Sequence, residues 1–199
     1  KGESVGWALQ AKQKGTGHAL QQAMDAIPDD HLVLVLYGDV PLLRVETLRA
    51  LVAEASERQL ALLTVTLADP TGYGRVVRDA RGRVRSIVEQ RDATPRQQRI
   101  REGNTGVLVA PARRLREWLG RLRSDNAQGE YYLTDVIAMA ARDGVKVAAQ
   151  AAAEESEVLG VNDRQQLAHL EGVLRARRAQ AAMRAGVMLA DPLRFDQRG

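Results

Sequence analysis

The 199-residue sequence predicts an α/β domain built on a mostly parallel, mixed sheet with helices on both faces. Three observations carry that prediction. Leu32 to Leu36 is an unbroken aliphatic run that ends at Tyr37-Gly38-Asp39, the pattern of a strand buried on both sides. Strand-like and helix-like segments alternate through the first half of the chain. Apolar residues make up 45% of the composition, enough for a sizeable core and too many for a disordered chain.

Taken in order, Ser4 to Leu9 reads as a short strand, followed by a Gly15-Thr16-Gly17 turn and a helix with Ala19, Leu20, Ala23 and Met24 as its buried stripe. Thr16 is an acceptable N-cap. Free backbone N–H groups at such a helix start favour an anion, and an ordinary capped glycine turn accounts for the pattern equally well. The turn is neither a Walker A loop nor a G-x-G-x-x-G fingerprint.

The aliphatic run comes next and places Asp39 just beyond a strand's carboxyl end, where open α/β sheets hold ligands. Gly38 permits close approach of backbone to a ligand, and Pro41 ends the ladder. Two roles suit Asp39: a ligand of a magnesium ion that carries phosphates, or a cap of the following turn.

Val45 to Arg58 is predicted as a helix buried through Leu48, Leu51, Val52 and Ala55, and Ala61 to Leu67 as a strand. Asp69 to Arg75 is a loop, because Asp-Pro and two glycines deny it regular structure. Val76-Val77, the turn from Asp79 to Gly82, and Val84 to Val88 make an antiparallel hairpin that ends in Glu89. Asp92 to Arg101 is a polar surface segment or short helix, and Val107 to Val109 a core strand with Asn104 at its entrance.

Ala112 to Leu122 is predicted helical, with Trp118 as a core anchor. After the polar loop from Ser124 to Tyr132, Thr134 caps a helix from Asp135 to Arg142 that stops at Gly144. Val145 to Ala149 is a strand, and Ser156 to Val161 is short and extended, ending at Asn162. A long basic helix runs from Asp163 to Ala185; Asn162 followed by Gln165 is also a helix-capping pattern. Residues 1–185 thus form the domain, and 186–199 a linker toward something further.

Several function classes drop out. With no cysteine there is no thiolate nucleophile or Cys-ligated zinc. The three histidines are scattered, with no H-E-x-x-H site, and no G-x-S-x-G elbow occurs. No apolar stretch approaches the roughly 20 residues that span a bilayer, so no membrane partner and a cytoplasmic location are expected. The charge of +4 comes from dispersed arginines without an aromatic-studded groove, which argues against nucleic acid. The first residue is lysine, so the natural start is expected upstream.

The chain resembles the bacterial bifunctional N-acetylglucosamine-1-phosphate uridylyltransferase and glucosamine-1-phosphate acetyltransferase family. The resemblance is carried, in the family's order, by Leu9-Gln10-x-x-Gln13-x-Gly15-Thr16-Gly17-His18-Ala19, Leu36-Tyr37-Gly38-Asp39-Val40-Pro41-Leu42, Asp69-Pro70-Thr71-Gly72-Tyr73-Gly74-Arg75, Ile87-Val88-Glu89, Asn104-Thr105-Gly106, Gln128-Gly129-Glu130-Tyr131-Tyr132-Leu133-Thr134-Asp135 and Gly160-Val161-Asn162-Asp163-Arg164.

It implies a Rossmann-like sugar nucleotidyltransferase fold that makes UDP-N-acetylglucosamine and pyrophosphate from UTP and N-acetylglucosamine 1-phosphate with Mg2+, for peptidoglycan and lipopolysaccharide precursors. By the same resemblance Gln10, Gly15 and Thr16 hold uracil and the nucleotide, with Tyr37, Gly38 and Asp39 beside it. Gly74, Glu89, Asn104, Tyr132 and Thr134 line the sugar pocket, and Asp39 and Asn162 bind the metal. No residue is needed as acid or base, because a sugar phosphate is already an anionic nucleophile and attack at the α-phosphorus calls for alignment and charge neutralisation.

The family's opening strand and G-x-G-T-R-M loop with a following lysine have no counterpart here, so this stretch alone is expected to turn over nothing. The left-handed β-helix of the acetyltransferase half is also missing, and a homotrimer is expected only of the full-length chain. A non-catalytic nucleotide-sugar binding or regulatory module is the alternative.

Overall fold

In the computed structural model, which describes residues 5–197, the deepest element is the strand Gln59–Thr66, here β2. From Leu60 to Val65 no residue is more than 1% exposed. The period of two sends Leu60 and Leu62 to one face, against Trp118, Leu119, Val136 and Ile137. It sends Ala61, Leu63 and Val65 to the other, against Leu51 and Val158. A strand with no polar face needs helices on both sides, and the chain supplies them.

The other strands are β1 (Leu32–Val35), β3 (Arg75–Arg78), β4 (Val84–Val88), β5 (Glu102–Pro111) and β6 (Lys146–Ala151). They form one sheet in the order β4-β3-β5-β2-β6, and β1 pairs with the carboxyl half of β5. The sheet is mixed. β1, β2, β3 and β6 run one way, but β5 lies antiparallel between β1 and β2, so only β2 and β6 pair in parallel. The helices are α1 (Thr16–Ala23), α2 (Val45–Glu54), α3 (Pro95–Gln98), α4 (Ala112–Leu119), α5 (Asp135–Arg142) and α6 (Arg164–Arg184). α4 and α5 cover the Leu60 face and α2 the Ala61 face. Among the described residues no helix is long and apolar enough to cross a membrane.

Several expectations are corrected. Val5 to Leu9 has no regular structure, and Trp7 is 94% exposed, because no described strand lies beside it to complete a ladder; Ser4 lies outside the described residues. β1 is not buried on both sides: Leu32 and Leu36 are exposed, since β5 is its only partner among the described residues. Full burial belongs to β2 instead. α2 ends at Glu54, where Ser56 and Gln59 close a tight turn into β2, and α4 ends at Leu119. Ser156 to Val161 opens inside a 3-10 turn, Glu155–Glu157, and is not extended through Val158. Of the predicted linker, Pro192–Arg194 forms a 3-10 turn, while Arg198 and Gly199 lie outside the described residues.

The predicted capping residues change as well. Gly15, not Thr16, stands at the first N-cap; Thr134 does hold the N-cap position of its helix, but in helical conformation and with no side-chain hydrogen bond to the helix. Asp163 caps α6, accepting from the N–H groups of Gln165 and Gln166 at 2.8 Å each. Asn162 is therefore not the cap.

Trp118 is the predicted anchor: fully buried, with its indole N–H donating to Asp143 Oδ2 at 2.9 Å. Trp118→Phe keeps a ring in the core but leaves that carboxylate to Arg121 alone. Urea unfolding of this variant is expected to show a loss of about 1–3 kcal/mol; an unchanged midpoint would remove Trp118 as the anchor.

Candidate functional site

The site begins with an irregularity in the central pairing. β2 and β5 pair as Leu62 with Leu108, then resume as Thr64 with Asn104, so β5 carries two extra residues. The backbone bulges at Asn104-Thr105-Gly106. Its stranded groups are met by side chains: Asn104 Oδ1 accepts from Gly106 N–H at 3.1 Å, and Thr105 Oγ1 accepts from Val107 N–H at 3.2 Å while donating to the Leu63 carbonyl at 2.8 Å. Gly106 has φ of 83°, and a Cβ there would sit 2.5 Å from the Tyr37 ring. Glycine is required on both counts.

Tyr37 is the hub. Its ring lies on Gly106, and Thr16, Glu89 and Asp39 are near enough to act on its hydroxyl electrostatically. Burial first, and then those two carboxylates, hold the phenol above its ordinary pKa. Thr16 also accepts from Leu133 N–H at 3.2 Å. Around it, Gly17 N–H donates to the Tyr131 carbonyl at 2.9 Å and Tyr131 N–H to the Lys14 carbonyl at 2.8 Å, which seats the glycine turn on the 128–134 segment. Gly15 has φ of 101°, and a Cβ there would meet the Tyr131 carbonyl at 2.7 Å. Gln10 closes the turn by donating to the Gly15 carbonyl at 3.2 Å, and its amide lies 2.9 Å from His18 Nδ1.

Beyond Tyr37, Gly38 and Asp39 lie in an exposed turn closed by Val40 N–H to the Tyr37 carbonyl. A Cβ on Gly38 would touch nothing within 4 Å, so the fold itself does not demand glycine there. Asp39 faces a cleft of about 680 Å³ whose lining includes Tyr37, Tyr73, Thr105, Gly160 and Asn162. The Asp39 carbonyl accepts from Val161 N–H at 2.8 Å, which draws the start of α6 up to the Asp39 turn. Among the described residues neither the Asp39 carboxylate nor the Asn162 amide is spent on a hydrogen bond; only the backbone N–H of Asn162 is used, donating to Gln166 Oε1. The alternative role of Asp39 as a turn cap thus falls away.

The second cluster gathers Gly74, Glu89, Asn104, Tyr132 and Thr134. Thr134 donates its hydroxyl to Glu89 Oε1 at 2.9 Å. A Cβ on Gly74 would lie 2.9 Å from Ile87 and 3.3 Å from a Glu89 oxygen, so that glycine makes room for β4. Asn104 N–H donates to the Gly74 carbonyl at 2.8 Å. Because Oδ1 of Asn104 is engaged by the bulge, its amide N–H groups are what it can offer outward. Burial raises the pKa of Glu89 against the hydrogen bond from Thr134, and Asp135 and Asp92 add to the rise. Burial and the Asp92 and Glu89 carboxylates push the Tyr132 phenol up to about 12.

Of the predicted site residues, Tyr37, Asp39 and Asn162 line one cleft, while the glycine turn at Thr16 and the cluster around Glu89 each come near Tyr37 outside it. The sequence reading missed Thr105, which stabilises the bulge, and the cleft residues Tyr73, Gly160, Gln166 and His169. Gln166 and His169 are three apart on α6, a helical spacing that could have flagged a shared face. Tyr73 stood in the sequence only as a member of the Asp69 to Arg75 motif, with no role assigned to it. Among the described residues no group of three or more acidic, histidine or cysteine side chains is gathered around a point.

A family profile described as nucleotidyl transferase matches residues 2–159. The chain is 62% identical over 195 residues to the "Bifunctional protein GlmU" of Alkalilimnicola ehrlichii, covering 98% of this chain and 42% of that protein. It is 58% identical to the protein of that name from Pseudomonas entomophila, covering 99% and 43%, and 56% identical to that of Methylococcus capsulatus, covering 97% and 42%. The chain thus spans less than half the length of the curated relatives it matches. With a profile match over most of its length and a bulged mixed sheet that presents a carboxylate beyond a strand end, the chain belongs to the nucleotidyl transferase family.

Proposed function

We propose that this chain forms part of a uridylyltransferase that makes UDP-N-acetylglucosamine and pyrophosphate from UTP and N-acetylglucosamine 1-phosphate with Mg2+. The observation that carries the reading is the convergence of two uncommitted oxygen donors, Asp39 and Asn162, on one cleft beside Tyr37. Relatives named as bifunctional GlmU proteins over nearly the whole chain support it.

Asp39 and Asn162 would hold the magnesium ion, which when bound neutralises phosphate charge and favours in-line displacement at the α-phosphorus. The protein residues do the rest by placement. The Gln10, Gly15 and Thr16 turn would take the uracil and nucleotide, seated rigidly on the 128–134 segment. Glu89 and the Asn104 amide would accept from and donate to sugar hydroxyls, with Thr134 orienting the carboxylate. Tyr132, whose pKa is raised to about 12, stays protonated at neutral pH. No side chain is required as a base, since the attacking phosphate is already anionic.

Residues 186–199 would lead into an acetyltransferase β-helix, with the full-length protein a cytoplasmic homotrimer.

Calorimetric titration of the chain with UDP-N-acetylglucosamine is expected to show binding that Mg2+ strengthens. Asp39→Ala should abolish the strengthening and, in the full-length protein, lower turnover by roughly 100-fold. Turnover equal to the parent's would refute the metal role.

Glu89 supplies a pH test. Its folded pKa is raised, so the folded protein keeps a proton that the unfolded chain gives up. The associated stability is present at low pH and is lost as pH rises from the unfolded pKa through the folded one. Glu89→Gln cannot ionise. It should melt above the parent at pH 7, match it below about pH 4, and bind the nucleotide sugar more weakly. Equal melting at both pH values would contradict the burial argument.

A further inference from the structure

The 39–44 and 154–161 loops are joined by a polar clasp that the proposed chemistry does not use. Glu157 is fully buried; its Oε1 accepts from Arg44 N–H at 3.2 Å, and its Oε2 has no hydrogen-bond partner among the described residues. Glu154 pairs with Arg44 at 2.7 Å and with Arg177 of α6 at 2.9 Å. Arg177 also donates to Ser156 Oγ at 2.9 Å and to the Leu42 carbonyl at 3.4 Å. At the other end of the same two loops, Val161 N–H donates to the Asp39 carbonyl at 2.8 Å, and Gly160 faces the Asp39 carboxylate.

A carboxyl group withdrawn wholly from water with one oxygen lacking a hydrogen-bond partner is costly to hold even with Arg44 nearby. Stability of the fold does not account for its presence. Its position does: Arg44 is five residues after Asp39, and Glu157 is five before Asn162. Their hydrogen bond ties together the two stretches on which Asp39 and Asn162 stand.

We infer that Glu157 is a positioning residue that sets the separation of Asp39 and Asn162, and through it the affinity of the cleft for a divalent cation. The inference rests on the cation reading of that cleft. Gly160 marks how closely the two loops approach: a Cβ there would rest in ordinary van der Waals contact with Asp39 Oδ2, at 3.5 Å. The arginines hold the clasp from its solvent side, where Glu154 is half exposed.

The test is Mn2+ binding to the full chain with UDP-N-acetylglucosamine present, read from the loss of the free-ion electron paramagnetic resonance signal. Glu157→Ala is expected to weaken Mn2+ binding about tenfold at a temperature where circular dichroism shows it folded. Glu157→Gln, which keeps an acceptor for Arg44 N–H, should bind within about twofold of the parent. Trp118→Phe, destabilised on the other face of the sheet, should bind as the parent does, which separates positioning from general loss of stability.

If Glu157→Ala does not fold, Glu154→Gln loosens the same clasp from outside and should weaken binding about threefold with little change in melting. Parent-like binding in folded Glu157→Ala, or failing that in Glu154→Gln, overturns the inference. If Asp39→Ala loses Mn2+ while the clasp variants keep it, only this inference fails. If the parent binds no Mn2+, or Asp39→Ala binds as the parent does, the cation reading fails and the inference with it.

Discussion

Because β2 and β5 slip by two residues between the Leu62 and Thr64 pairings, the backbone at Asn104-Thr105-Gly106 leaves the ladder and must find its hydrogen bonds elsewhere. The polar side chains of that motif supply them, and the positive φ of Gly106 opens a flat seat for Tyr37. From that seat Tyr37 reaches Thr16 on the glycine turn and lies within the field of both Asp39 and Glu89. With a regular ladder, a side chain at 106 would lift Tyr37 away, and the three groups would lose their common neighbour. The site is in this sense a consequence of one interrupted pairing at the middle of the sheet.

The electrostatics around that seat are acidic although the chain carries a charge of +4. Asp39, Glu89, Asp92 and Asp135 act on the site, and the pKa values of Glu89 and Asp135 are raised by burial and by neighbouring carboxylates. The arginines are spent on structure. Arg75 is buried and donates to the Tyr73 carbonyl and Gln90, Arg121 pairs with Asp143, and Arg44 and Arg177 share Glu154. An anionic substrate entering such a cleft meets repulsion unless a cation intervenes. That is the physical sense of two oxygen donors left uncommitted at its rim, and of a clasp behind them that stiffens both loops.

Most elements were legible in the chain because their patterns depend on near neighbours. The Asp135–Arg142 helix, the β3 and β4 hairpin, the burial of Trp118 and the strand at Val107 to Val109 follow from periodicity and turn chemistry alone. The misplaced features depend on what lies alongside. Leu32 to Leu36 has the composition of a doubly buried strand, yet it meets a single described partner, whereas β2, with a threonine in its midst, is sealed on both faces. Likewise Thr16 and Thr134 have the chemistry of caps, but their hydroxyls are claimed by Leu133 N–H and by Glu89, groups distant in sequence.

The amino-acid order by itself determined which residues could carry chemistry: an oxygen donor past a strand end at Asp39, a second at Asn162, and glycines wherever backbone must crowd another group. It also excluded thiol and serine-elbow catalysis. Only the tertiary structure decided that these donors share a cleft, that Asp163 takes the cap and frees Asn162, and that Glu157 lies buried behind both loops. The reason is that side-chain type and local period are properties of neighbouring residues. The register slip in β5, set by pairing with residues some forty positions away, and the hydrogen bond that brings residues 39 and 161 together across more than a hundred positions, arise only when segments distant in sequence compete for the same partners.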